Sequence, residues 1–149
     1  MGREPGDTDV RTIVELDDGT QIQYVKEWVE KESSRGDHTY IGSEEKIAIV
    51  SPEGNIIETK SGYGHSSSST RSVKWREKVI EPLVERVNEF TVTEDQNAVP
   101  VNIISEGKPA VTAYLYAIHG WSYNEIQEAL GLTQGTIHQY MIDIANDNR

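Results

Sequence analysis

The chain has 149 residues, 36% of them hydrophobic, which suffices for one domain or two small ones, each with a modest core. It has no cysteine, which excludes disulfides and thiolate-bound zinc, and no apolar run near the roughly 18 residues that a membrane span needs. Its 25 acidic and 14 basic residues leave a net charge of −11, which argues against nucleic-acid binding, because phosphate contacts run on Lys and Arg.

Residues 1–9 are polar, lack the apolar core of a secretory leader, and read as a disordered start to a cytoplasmic protein. Val10, Thr12, Val14 and Leu16 alternate as in a strand over 10–16. "DDGT" breaks the run, and Asp18-Gly19 is a hairpin signal because Gly accepts positive φ without strain. Ile22 and Tyr24 resume the alternation over 21–26, although Ile22, Val25 and Val29 also fit helical spacing. "SSRGDHTYIGSEE" reads as a loop. "KIAIVSPEGNIIETK" reads as a second hairpin, with Pro52 and Gly54 in its turn. Residues 10–60 are therefore expected to form a small antiparallel sheet of about four strands.

The Gly/Ser-rich stretch 61–72 reads as a flexible loop or linker. Within 73–107, Ile80, Leu83, Val84 and Val87 form an apolar helical stripe. Pro82 is harmless only in a first helical turn, so the spacing predicts a helix over 81–90. Residues 72–80 either extend that helix or form a strand with Val73, Trp75 and Val79 on one face. "TVTEDQNAVPVNIISEG" reads as extended chain with turns.

Residues 108–149 read as three helices. Pro109 suits the first turn of the first, Val111, Leu115 and Ile118 make its stripe, and Gly120 closes it. Ser122 and Glu125 have capping-box spacing, and Ile126, Ala129 and Leu130 are expected to face inward. Gly131 ends this helix, Leu132 plugs the turn, and Thr133 caps a last helix whose buried side is Ile137, Tyr140, Met141 and Ile144. The fold class is α+β: a small N-terminal sheet followed by a helical C-terminal part.

"GWSYNEIQEALGLTQGTIHQYM" resembles the trihelical helix-turn-helix superfamily, as in sigma-factor region 4 and resolvase-type domains. The resemblance covers about 40 residues. Where that superfamily has a small Ala in its first motif helix, this chain has Gln127, whose side chain must point past the partner helix or widen the crossing. The resemblance implies that the start of the last helix enters the major groove, with Thr133, Gln134, Gly135, Thr136, His138 and Gln139 at base edges. Their chemistry suits base reading, since Gln can pair with adenine, Thr offers a hydroxyl or a methyl contact, and His can donate to purine acceptors.

The motif itself lacks cations, because no Lys or Arg lies between Lys108 and Arg149. The positive stretch is 61–86, with 5 bases against 3 acids. Phosphate contacts are therefore assigned to Arg71, Lys74, Arg76, Lys78 and Lys108. As a strand, Lys74, Arg76 and Lys78 share a face; as a helix, Arg71, Lys74 and Lys78 do. The dispersed acidic surface resembles proteins of salt-loving microbes, where screening over a few Å blunts self-repulsion. The four histidines lack metal-ligand spacing, and neither a phosphate loop nor a nucleophile elbow is present. No catalytic, metal or cofactor site is expected. The expected function is sequence-specific double-stranded DNA binding as a homodimeric transcription regulator. The alternative is an adaptor whose trihelical unit binds a protein partner.

Overall fold

The computed structural model describes residues 4–59, 70–87 and 89–146, with no side chains for 70–72. The expected linker over 61–72 lies outside the described residues except at its end, where a helix has begun. The sheet comprises β1 (Thr8–Glu15), β2 (Gln21–Glu32), β3 (Thr39–Val50) and β4 (Ile56–Ile57), all antiparallel and in chain order. The β1–β2 turn forms on Gly19, at φ 96°, with the Thr20 amide donating to Asp18 Oδ1 at 2.9 Å.

Three expectations about this half are corrected. Thr8 and Asp9, expected in a disordered start, already belong to β1, and the Gly6 amide donates to the Trp28 carbonyl at 2.8 Å. The alternation in β1 breaks at Ile13, where one extra residue shifts the register between Thr12 and Val14. Val10 is therefore 55% exposed on the outer face, while Val14 lies opposite Ile22 on the core side. The stretch expected as a loop is strand from Thr39 onward, paired with β2 as far as Glu32. Its polar residues extend because cross-strand partners hold them. Lys46 Nζ meets Glu27 at 2.6 Å, and Lys31 Nζ donates to the Ser43 carbonyl at 3.2 Å.

Five helices follow among the described residues: α1 (Thr70–Arg86), α2 (Val101–Ser105), α3 (Lys108–Ala117), α4 (Tyr123–Leu130) and α5 (Gln134–Ala145). α1 runs unbroken through Pro82, which removes the strand alternative for 72–80 and starts the helix well before 81. α2 replaces part of the extended connection and buries Ile103. α3 is buried nearly all round, from Ala110 to Ala117 apart from half-buried Val111, as a helix at the centre of a core must be. α1 lies between the two halves. It packs on β1 and β3 on one side and on α3 and α5 on the other. Leu16, Ile22 and Ile49 of the sheet join Ile80, Leu83, Tyr114, Ile126, Ile137 and Met141 in one contiguous core. Burial of each such side chain contributes about 1.5–3 kcal/mol. No helix among the described residues is long and apolar enough to cross a membrane.

The connection between α1 and α2 is fastened to the end of α3. His119 Nε2 donates to the Ala98 carbonyl at 2.9 Å, the Thr93 amide donates to Tyr114 Oη at 3.1 Å, and Trp121 Nε1 donates to the Gln96 carbonyl at 2.9 Å.

Candidate nucleic-acid interface

The geometry of α4 and α5 is set by their caps. Ser122 Oγ accepts from the Glu125 amide at 3.2 Å, and Glu125 Oε1 accepts from the Ser122 amide at 3.1 Å. Gly131 is left-handed, φ 67° and ψ 29°, and its amide donates to the Gln127 carbonyl at 2.9 Å, closing α4. Two residues later Thr133 opens α5, its hydroxyl accepting from the Thr136 amide at 3.1 Å. Ile126, Ile137, Met141 and Ile144 are buried against α3, whereas Tyr140 is half-buried. Ala129, expected inside, is exposed: it falls on the outer side of α4, and half-buried Leu130 makes the contact instead.

This arrangement turns one face of α5 outward. Thr133, Gln134, Gly135, His138 and Gln139 are exposed, and Thr136 is half-buried. Among the described residues, a Cβ at Gly135 would meet only Thr133 Oγ1, at 4.0 Å, so the surface beside its bare Cα is open. Thr133 Oγ1 donates to Thr136 Oγ1 at 2.9 Å, so its proton is engaged within the cap. Gln139 Nε2 donates to Asp143 Oδ1 at 3.0 Å. Gln127 points past the partner helix: it is exposed, and its Oε1 accepts from Gln134 Nε2 at 3.3 Å. The same Gln134 nitrogen donates to Asn124 Oδ1.

His138 joins α5 to α1. Its Nδ1 lies 3.1 Å from Tyr123 Oη, and Tyr123 Oη accepts from Trp75 Nε1 at 3.4 Å. The Trp75 and His138 ring centroids are 6.1 Å apart. Burial raises the Tyr123 phenol above its ordinary range, keeping it protonated. The sequence alone does not nominate Trp75 and Tyr123 for this site. The two lie 48 positions apart, and no local pattern links them. Asn124 and Gln127 do carry a signal, three apart on one helical face just before the turn.

Trp75 brings α1 close to α5 at His138. Lys74 and Lys78, one and three positions from Trp75 in α1, are exposed, and Lys108 is exposed at the start of α3. Arg71 lies in the first turn of α1, with its side chain outside the described part. Arg76 is a correction: it is only 8% exposed and cannot reach phosphate. In a helix, position 76 falls on the stripe of Val73, Val79, Ile80 and Leu83. Its guanidinium sits 5.2 Å from the Tyr116 ring centroid and donates to the Gly120 carbonyl at 3.5 Å. Burial lowers its pKa, partly offset by Tyr116.

Among the described residues no group of His, Asp or Glu is arranged to hold a metal ion. An open cleft of about 320 Å³ between the β3–β4 turn and residues 94–96 is lined by Glu53, Glu58 and Glu94, and its charge repels anions. No family model, curated protein or solved structure matches the chain.

Proposed function

We propose that the protein binds double-stranded DNA sequence-specifically through a helix-turn-helix made by α3, α4 and α5, and that it regulates transcription. α5 enters the major groove, where a helix fits and each base pair is distinguishable. One observation carries this reading. The start of α5 presents Gln134, Gly135, His138 and Gln139 outward, without a large apolar side chain among them, on a rigidly capped two-helix frame. Lys74 and Lys78 supply phosphate contacts from α1. Two such cations give a weak electrostatic grip, so a homodimer reading two half-sites about one helical turn apart provides the remaining affinity.

The test is fluorescence anisotropy with random and selected duplexes across a potassium chloride series. Binding at micromolar protein, with preference for selected sequences, is expected. Absence of duplex binding at any salt concentration defeats the reading.

A second reading has its own support. α2 exposes Val101 at 74% and Ile104 at 55%, next to a trihelical unit poor in cations. Such a surface suits an adaptor that binds a protein partner. DNA binding that ignores sequence, together with a partner lost on Val101→Asp or Ile104→Asp substitution, favours that reading.

A further inference from the structure

We propose that the outward face of α5 offers DNA one fixed acceptor and one fixed donor, each set by residues outside that helix. They are the side-chain carbonyl of Gln134 and the Nε2–H of His138. This inference rests on the DNA-binding reading above.

A glutamine amide has two N–H donors and one carbonyl acceptor. Gln134 Nε2 donates to Asn124 Oδ1 and to Gln127 Oε1. Both donors are spent on α4, and the residue is exposed. An unrestrained Gln reads adenine with two bonds, donating to N7 and accepting from N6. Gln134 can only accept. In the major groove only adenine N6 and cytosine N4 donate, so this position admits either base and disfavours guanine and thymine.

His138 is fixed through a relay of two side chains. An indole N–H can only donate, and that of Trp75 points at Tyr123 Oη. The phenol oxygen therefore accepts from Trp75, and its own proton is assigned to His138 Nδ1, an acceptor 3.1 Å away. An accepting Nδ1 holds the neutral imidazole in its Nε2–H tautomer. The exposed ring then offers a donor, which suits guanine O6 or N7, adenine N7 or thymine O4. Residues 134 and 138 are one turn apart, about 5–6 Å, which spans one or two base-pair steps. The geometry points to a target with an exocyclic amine and, one or two steps on, an acceptor. Asn124, Gln127, Tyr123 and Trp75 are positioning residues.

The experiment has two arms on the full chain. In the first, long-range proton–nitrogen spectra of histidine-labelled protein above pH 7.5 report the tautomer without DNA. One pyrrole-like Nε2 and one pyridine-like Nδ1 are expected for His138, and Tyr123→Phe should average the two. An Nδ1–H tautomer in the unsubstituted protein overturns the proposal. In the second, a random duplex pool is selected and single-base variants of the winner are titrated. At the base whose preference disappears in Gln134→Ala, adenine or cytosine should bind roughly tenfold tighter than guanine or thymine. The double substitution Asn124→Ala, Gln127→Ala frees the amide and should raise adenine over cytosine about tenfold. Preference for guanine or thymine, or an unchanged adenine-to-cytosine ratio in the double variant, overturns the proposal alone. Failure to bind any duplex overturns the DNA-binding reading, and the base-reading role with it.

Discussion

Arg76 and Lys78 stand two positions apart in α1, and the helix sends them in opposite directions. Lys78 reaches water, whereas Arg76 lies against Tyr116 and the Gly120 carbonyl. Their substitutions should therefore separate two measurements. Lys74→Ala and Lys78→Ala should weaken duplex binding for all sequences alike and reduce the slope of log affinity against log salt by roughly 0.9 each. Arg76→Ala should leave that slope unchanged and lower unfolding stability by about 1–3 kcal/mol, through lost cation–π and packing contacts. A changed salt slope in Arg76→Ala, with unchanged thermal stability, would contradict its inward placement. Gln139→Ala belongs to a third class. Its amide keeps one N–H beyond the bond to Asp143 Oδ1, so base discrimination should fall by about 1–3 kcal/mol without a change in salt slope.

Caps decide the elements nearest the site. Gly131 has φ 67°, and a Cβ there meets nothing within 4 Å among the described residues, so Gly131→Ala carries a purely conformational cost of roughly 1–2 kcal/mol. Gly131→Asn should recover part of it, because Asn tolerates the left-handed region. Urea unfolding of both variants checks this, and equal stability of Ala and Gly at 131 refutes it. These caps are legible in the sequence because each depends on residues a few positions apart: Ser122 with Glu125, Gln127 with Gly131, Thr133 with Thr136. The turn chemistry at Gly19 and Gly54 is legible for the same reason. What the sequence hides depends on distant partners. The polar start of β3 is strand because β2 pairs with it, and Ile13 bulges only relative to the register across from it. α2 is one short turn anchored by Ile103, too brief to show a period. The proposed base-facing positions follow from resemblance, whereas the network that orients them comes from α1 and α4.

At the scale of the molecule, stability depends on a buried histidine at the end of α3. His119 is fully buried, with its Nε2 bonded to the Ala98 carbonyl and Thr93 Oγ1, and its Nδ1 has no hydrogen-bond partner among the described residues. Protonation would place a charge and an unmatched N–H inside the core. Burial therefore lowers its pKa, outweighing the Ala98 bond and the charge of Asp95, which act the other way. The unfolded chain takes up this proton near pH 6.5, before the folded chain does. Stability from the neutral ring is thus fully present above about pH 6.5 and is lost as pH falls below it. One proton bounds the slope at about 1.4 kcal/mol per pH unit. Thermal or urea unfolding between pH 7.5 and 5.5, above the range where ordinary carboxylates titrate, should show this decline. His119→Gln keeps a donor for the Ala98 carbonyl and cannot take up the proton. It should be less stable than the original at neutral pH, with a flatter profile across the same window. The same decline in His119→Gln would assign the effect to another group. The measurement should be made at fixed high salt, because the net charge of −11 makes self-repulsion vary with screening. Under those conditions the strap over residues 93–98, which His119 holds to the end of α3, should loosen first on acidification. Amide exchange at Thr93, whose N–H donates to the neighbouring Tyr114 hydroxyl, should accelerate in the same pH window relative to the rate expected for an open amide.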